Sequence, residues 1–123
     1  MTVLLDSWAW IEYTRRSPRS EKVRPYIEGD ELTITSAINV AEVHRFFLAN
    51  RPREANHYLS FILARANVIP IDTEIATKAA TICVEKKMGL SDAIVLATAQ
   101  IQNARVVTGD HDFQNEKNVE FIA

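Results

Sequence analysis

The sequence predicts an α/β fold, a three-layer α/β/α sandwich around a mainly parallel sheet. Segments with the apolar spacing of helices alternate with short runs of strand-forming residues. Several of these runs are too continuously apolar for half-exposed strands, which indicates a sheet covered by helices on both faces. The chain has 123 residues and 47% hydrophobic residues, which is enough for one domain, residues 1–123, with a real core.

The elements of the first half are predicted from apolar runs, caps and prolines. Residues 2–5 form a buried strand, and Ser7 caps a helix over residues 8–16. Ser17-Pro18 is a cap followed by a first-turn proline, and it opens a second helix in which Pro25 is a candidate kink. The remaining predictions are closure of this helix at 29–30, a strand at 31–35, a helix capped by Ser36 and ending near 50, and a helix over 52–66.

The second half repeats the alternation of strand and helix. Residues 67–71 are predicted to form a third strand, and Asp72 to cap a helix that runs to residue 88 with Gly89 at its exit. Ser91 is expected to cap a nearly all-apolar helix ending near residue 103. The last predicted elements are a fourth strand at 105–108 and a fifth at 119–122.

Composition excludes several classes of protein. A net charge of −2 with 24% charged residues fits neither a disordered chain nor a strongly basic nucleic-acid binder. Cys83 is the single cysteine, so an internal disulfide and a cysteine-rich zinc site are excluded. The longest apolar run, residues 93–97, is far too short for a membrane span, and no basic leader precedes Asp6. We therefore expect a cytoplasmic protein with no membrane association.

Acidic side chains follow the predicted strands at one edge of the sheet. Asp6 comes directly after the first strand, and Asp110 and Asp112 follow the fourth. Asp92 lies in the first turn of the helix after Gly89, where the helix dipole stabilises a carboxylate. The carboxyl ends of parallel strands share one edge, where ligands usually bind. Each acid taken alone is also explained as a cap or turn residue.

Glu42 is the acid that needs a special reason, because it interrupts an apolar helical stripe containing Ile38 and Phe46. Carboxylates held about 5 Å apart repel by roughly 3 kcal/mol per pair at an effective dielectric of about 20. Mg²⁺ or Mn²⁺ converts this repulsion into affinity, since hard cations prefer carboxylate oxygens. Such a site supports hydrolysis of phosphodiesters, with Ser7 and Thr108 orienting the acids by hydrogen bonds.

The chain resembles the PIN-domain ribonucleases, and within them the small VapC-type toxins of prokaryotic toxin-antitoxin pairs. The resemblance covers essentially the whole chain and rests on segments that occur in the family's order and spacing. These segments are LLDS at 4–7 with WIEY at 10–13, SAINVAEV at 36–43, GLSDA at 89–93 and VTGDHDF at 107–113.

The resemblance implies catalytic, metal-binding acids at Asp6, Glu42, Asp92 and Asp110, with Asp112 as an additional metal ligand. It also implies dependence on Mg²⁺ or Mn²⁺, endonucleolytic cleavage of RNA, homodimerisation and a small VapB-like antitoxin partner encoded beside the toxin. Trp8 departs from the family pattern, because many relatives carry a small residue there.

RNA binding requires positive charge near the site, and the candidates are Arg15, Arg16, Arg19 and Arg45. For any single arginine, an ordinary solvated helix face is the competing interpretation. Two alternatives to a toxin ribonuclease stay open: a non-catalytic PIN-like interaction module, and a housekeeping RNA-processing nuclease without an antitoxin.

Overall fold

The computed structural model describes residues 2–123 and has the predicted α/β architecture. A single sheet contains every strand of the described residues, and each neighbouring pair is parallel. The strands are β1 (Val3–Leu5), β2 (Thr33–Ser36), β3 (Asn67–Ile69), β4 (Arg105–Thr108) and β5 (Val119–Phe121). Their order across the sheet is β3-β2-β1-β4-β5, so β1 is central and β4 lies next to it.

Helices connect the strands. They are α1 (Ser7–Tyr13), α2 (Pro18–Glu28), α3 (Ala37–Asn50), α4 (Ala55–Arg65), α5 (Thr73–Lys86) and α6 (Leu90–Ile101). Two short 3-10 helices, Pro52–Glu54 and His111–Phe113, complete the described elements. Among residues 2–123, none of these helices has the length and apolar character needed to cross a membrane.

Two apolar cores lie on opposite faces of the sheet, because successive side chains of a strand point to opposite sides. Val3 and Leu5 of β1 belong to the core that packs under α1, α2, α3 and α4. Leu4 lies between them in sequence and belongs to the other core, under α5 and α6. The result is the three-layer sandwich expected from the sequence.

Three helix starts agree with the predicted caps. Ser17, Ser36 and Asp72 each accept a backbone hydrogen bond at the start of α2, α3 and α5. Ser36 also forms a capping box with Asn39, whose side-chain oxygen accepts the Ser36 N–H at 3.1 Å. These hydrogen bonds fix the start of α3, the helix that contains Glu42.

Two predicted caps were wrong. The N-cap of α1 is Asp6, whose Oδ1 accepts the Ala9 N–H at 3.0 Å, and Ser7 is the first helical residue. The N-cap of α6 is Gly89, and no side chain among residues 2–123 caps this helix. In both places the serine hydroxyl hydrogen-bonds Glu42 instead. A local capping pattern cannot reveal a competing partner that lies on another helix.

Several boundaries differ from the prediction by a few residues. Helix α1 ends at Tyr13, α5 ends at Lys86, and Lys87 adopts the left-handed conformation with φ 54°. The helix predicted over 52–66 divides into a 3-10 turn and α4. Helix α2 continues through Pro25 to Glu28, close to its predicted end at 29–30. The 3-10 turn at 111–113 had no predicted counterpart.

Arg65 ties the end of α4 to the end of α2. Its Nε donates to the carbonyl of Ile27, and its Nη2 donates to the carbonyls of Tyr26, Gly29 and Glu31 at 3.2, 3.1 and 3.3 Å. The last carbonyls of a helix lack partners within the helix, so a guanidinium satisfies them and complements the helix dipole.

We predict that Arg65→Met lowers the free energy of unfolding by roughly 2–3 kcal/mol, because hydrogen bonds from a charged donor are lost and carbonyls stay unsatisfied. Urea unfolding measures the change. Arg53→Met is the matched control, since Arg53 is exposed. Equal stability of the two variants would contradict this role of Arg65.

Candidate metal centre

The acids singled out in the sequence lie around one edge of the sheet. Asp6 follows β1 and Asp110 follows β4, and these two strands are neighbours. Glu42 lies in α3, the helix that follows β2 on the other side of β1, and Asp92 lies in the first turn of α6. Parallel pairing therefore brings together side chains that are far apart in the sequence.

The tightest cluster consists of Asp92, Asp110 and Asp112. One carboxylate oxygen from each of them lies within 4.8 Å of the others. Asp92 and Asp110 are half-buried, whereas Asp112 is exposed. The 3-10 turn sets the positions of Asp110 and Asp112, because Asp110 Oδ1 accepts the Asp112 N–H at 3.0 Å. A cation could bind three carboxylates here at once.

Asp6 is the buried acid at this edge of the sheet, with only 4% of its surface exposed. Its Oδ1 caps α1, and its Oδ2 accepts a hydrogen bond from Thr108 Oγ1 at 2.6 Å. The same Thr108 oxygen accepts the Asp110 N–H at 3.0 Å. Thr108 thus connects two of the acids, and the hydrogen bond predicted from Thr108 to an acid is present.

Glu42 is held by two serines from different helices. Ser7 Oγ donates to Glu42 Oε1 at 2.6 Å, and Ser91 Oγ donates to Oε2 at 3.1 Å. Asn39, one turn earlier on α3, donates to Ser7 Oγ at 3.1 Å. Both carboxylate oxygens of Glu42 are oriented by these contacts, so this acid has a hydrogen-bonded environment despite its apolar neighbours on the helix.

Burial and mutual repulsion change the proton affinity of two of these acids. Burial is the main cause that raises the pKa of Asp6 to about 7, with Asp110 and Asp92 adding repulsion against the opposing hydrogen bonds from Thr108 and Ala9. Burial also raises the pKa of Asp92 to about 7, and Asp112, Asp110 and Glu42 act in the same direction. The cluster thus binds protons near neutral pH when no cation compensates its charge.

These donors fit a hard divalent cation. The cluster offers carboxylate oxygens and is formed without any histidine or cysteine. Repulsion that raises a carboxylate pKa is relieved by a cation that displaces the proton. The assignment of Asp6, Glu42, Asp92, Asp110 and Asp112 as catalytic or metal-binding residues remains a prediction from the sequence, which this geometry supports.

The candidate RNA-binding arginines differ in their surroundings. Arg15 lies 3.8 Å from Glu12 in an ion pair, and Arg16 and Arg45 are exposed. Arg19 is half-buried, and its Nη2 donates to the carbonyls of Gly109 and Ile122. Arg19 is therefore already engaged beside the acidic cluster, unlike a freely solvated cation.

Sequence reasoning missed the roles of Asn39 and Ser91 around Glu42. Ser36 and Asn39 have the spacing of a capping box, so the local sequence did contain a signal that Asn39 makes side-chain hydrogen bonds. Ser91 was assigned to a cap, and nothing in the local sequence indicates its contact with α3. Long-range hydrogen bonds of this kind require the fold.

Comparison with known families identifies the fold. The family model described as PIN domain matches residues 3–117. The comparison with curated proteins found no match.

Solved structures of toxin-antitoxin proteins have the same fold as this chain. A toxin-antitoxin complex from Klebsiella pneumoniae is 24% identical, with a TM-score of 0.80 and coverage of 98% of both chains. VapBC2 from Rickettsia felis, solved with a promoter DNA fragment, is 17% identical with a TM-score of 0.80 and coverage of 100% of both. Mycobacterium tuberculosis VapC20, described as a toxin that cleaves the sarcin-ricin loop, is 15% identical with a TM-score of 0.78 and coverage of 94% and 95%.

We predict that the metal-free protein loses stability as the pH rises from 5 to 7. Folded Asp6 keeps its proton up to a pKa of about 7, whereas the unfolded side chain releases it near 3.8, so rising pH favours the unfolded chain. Asp6 contributes up to about 1.4 kcal/mol per pH unit over this range. Urea unfolding in EDTA should show a shallower slope for Asp6→Asn than for the wild type.

The control is Asp30→Asn, because Asp30 is exposed and lies at the end of α2, away from the cluster. Its pH slope should match that of the wild type. Parallel slopes for Asp6→Asn and the wild type would show that Asp6 is ionised in the folded protein and would refute the prediction.

Proposed function

This chain belongs to the PIN domain family, and on that premise we propose that it is a Mg²⁺- or Mn²⁺-dependent endoribonuclease, the toxin of a VapBC-type toxin-antitoxin pair. The observation that carries the proposal is the cluster of Asp92, Asp110 and Asp112 beside Asp6 and Glu42. RNA is the proposed substrate because a neighbour in fold is described as cleaving the sarcin-ricin loop.

In this proposal Asp92 and Asp110 would hold the cation, Asp6 and Glu42 would add negative charge, and Asp112 would close the exposed side. The ion, when bound, lowers the pKa of a water and stabilises the charge that develops on the phosphodiester. Thr108 fixes Asp6 and the Asp110 backbone together, and Ser7 and Ser91 fix Glu42. These hydrogen bonds keep the acids in place before substrate arrives, which reduces the reorganisation needed during reaction.

The raised pKa of Asp6 and Asp92 makes cation binding depend on pH. Asp92 has to release its proton before it binds the ion, and Asp6 has to release its proton before it adds negative charge, so affinity should increase from pH 6 to pH 8. The same requirement predicts that cleavage becomes faster over this range.

An antitoxin partner is proposed at the aromatic surface of α1 and α4. The half-buried rings of Tyr13 and Phe61 stack with centroids 5.8 Å apart, and Phe61 meets the buried Trp10 ring edge to face at 6.3 Å. A cavity of about 230 Å³ beside them is lined by Tyr13, Thr14, Arg16, Arg24 and Tyr58. An amphipathic helix could place apolar side chains against the aromatic rings and an acidic side chain against Arg16, since Arg24 is already paired with Glu21 and Glu28.

The alternative of a non-catalytic interaction module is disfavoured by the acids. A module without catalytic activity has no need for carboxylates that repel one another, because their repulsion destabilises the fold. A housekeeping nuclease requires the same site, and the antitoxin experiment below separates it from a toxin.

We predict that the purified chain cuts structured RNA with Mn²⁺ or Mg²⁺ and does not cut it in EDTA. Asp92→Asn and Glu42→Gln each remove one negative charge while preserving side-chain size, and should reduce the cleavage rate by about a hundredfold or more. Gel electrophoresis and sequencing of the RNA ends measure the rate and the cut position.

Asp30→Asn is the control, because it makes the same chemical change at an exposed position outside the cluster. It should cleave like the wild type. Undiminished cleavage in EDTA, or by Asp92→Asn, would reject a metal-dependent site at this edge of the sheet.

We also predict that the chain forms a homodimer and a complex with the product of a short reading frame beside its gene. Arg16→Glu places a negative charge on the proposed antitoxin surface and should weaken the complex by about tenfold, whereas Arg53→Glu should not. Light scattering and calorimetry measure both associations. Failure to bind any such product would favour the housekeeping nuclease.

A further inference from the structure

Trp8, Arg19 and Gly109 form a stacked contact beside the acidic cluster. The Arg19 guanidinium carbon lies 4.6 Å from the centroid of the Trp8 ring, which is a cation–π arrangement. Nη2 of Arg19 donates to the carbonyls of Gly109 and Ile122 at 3.4 and 3.3 Å. The first turn of α2 is thereby joined to the loop after β4 and to the end of the chain.

The Gly109 backbone packs closely against the stacked side chains of Trp8 and Arg19. A Cβ atom at position 109 would lie 2.3 Å from Trp8 Cζ2 and 2.5 Å from Arg19 Nη2, distances that real Cβ atoms essentially never show. The loop backbone therefore reaches its observed position because residue 109 has no side chain. The Trp8 ring occupies the space that this glycine leaves.

Asp110 is the residue directly after the contact. Its N–H donates to Thr108 Oγ1 at 3.0 Å, and Thr108 Oγ1 donates to Asp6 at 2.6 Å. The loop is thus held on one side by Thr108 and on the other by Arg19. A shift of the Gly109 carbonyl would move the Asp110 backbone away from Asp92, its partner in the carboxylate cluster.

We propose that Arg19 is a positioning residue that, stacked on Trp8, fixes the Gly109 carbonyl and so holds Asp110 at the metal-binding geometry; this inference rests on the proposed function. A role as a phosphate contact is less consistent with the surroundings. The guanidinium lies on the indole and donates to two carbonyls, and its Nε is buried with no hydrogen-bond partner among residues 2–123. Nη2 is therefore engaged and Nε is inaccessible, so a phosphate could meet this guanidinium only through Nη1.

The test compares Arg19→Met, Arg19→Lys and the exposed control Arg53→Met. Lysine keeps the charge that a phosphate contact needs but cannot reproduce the planar fork and the stacking of arginine. Calorimetry gives the Kd for Mn²⁺ without RNA, and cleavage of one defined RNA gives kcat and KM. Circular dichroism verifies the fold of each variant, and Arg19→Lys provides the test if Arg19→Met does not fold.

We expect both Arg19 variants to bind Mn²⁺ about tenfold more weakly and to lose a similar factor in kcat at limiting Mn²⁺, with KM for RNA nearly unchanged. Arg53→Met should match the wild type. Unchanged Mn²⁺ affinity overturns the inference, as does a higher KM with unchanged kcat, the signature of a phosphate contact. A wild type that neither binds Mn²⁺ nor cuts RNA overturns the proposed function itself.

Discussion

The repulsion among carboxylates gathered at one edge of the sheet is the constraint on which the rest of the structure depends. Asp6 is buried and Asp92 half-buried, and burial together with neighbouring acids raises the pKa of both to about 7. A fold that brings these groups together loses stability unless protons or cations compensate them. The acids meet because β1 and β4 are adjacent parallel strands whose carboxyl ends lie at the same edge of the sheet.

Hydrogen bonds from the scaffold decide where each acid points. Thr108 hydrogen-bonds Asp6 and the Asp110 backbone, and serines of α1 and α6 donate hydrogen bonds to Glu42. Each contact joins elements that are distant in sequence, so the geometry of the cluster depends on the packing of the whole domain. The stack of Trp8 and Arg19 extends this support to α2.

The sequence predicted the fold class well, because it follows from patterns with a simple period. It also predicted acids along one edge of the sheet, but the carboxylates that lie within 4.8 Å of one another are those of Asp92, Asp110 and Asp112, without Asp6 and Glu42. Alternating helices and buried strands fix a parallel sheet, and a parallel sheet gathers the acids that follow its strands. The caps assigned to Ser7 and Ser91 were wrong. Their hydroxyls could have capped their own helices, but they donate hydrogen bonds to Glu42 on α3 instead. The contacts of Arg19 could not be predicted either. Its stacking on Trp8 and its hydrogen bonds to the Gly109 and Ile122 carbonyls produce no pattern in the local sequence.

The most direct test of the metal site is an anomalous difference map from crystals of the wild type soaked in Mn²⁺ at pH 8. The account predicts a peak bonded to carboxylate oxygens of Asp92 and Asp110 at the short distances, about 2.1 Å, typical of small hard cations. A map in which manganese binds elsewhere on the surface, while these carboxylates stay without metal, would contradict it.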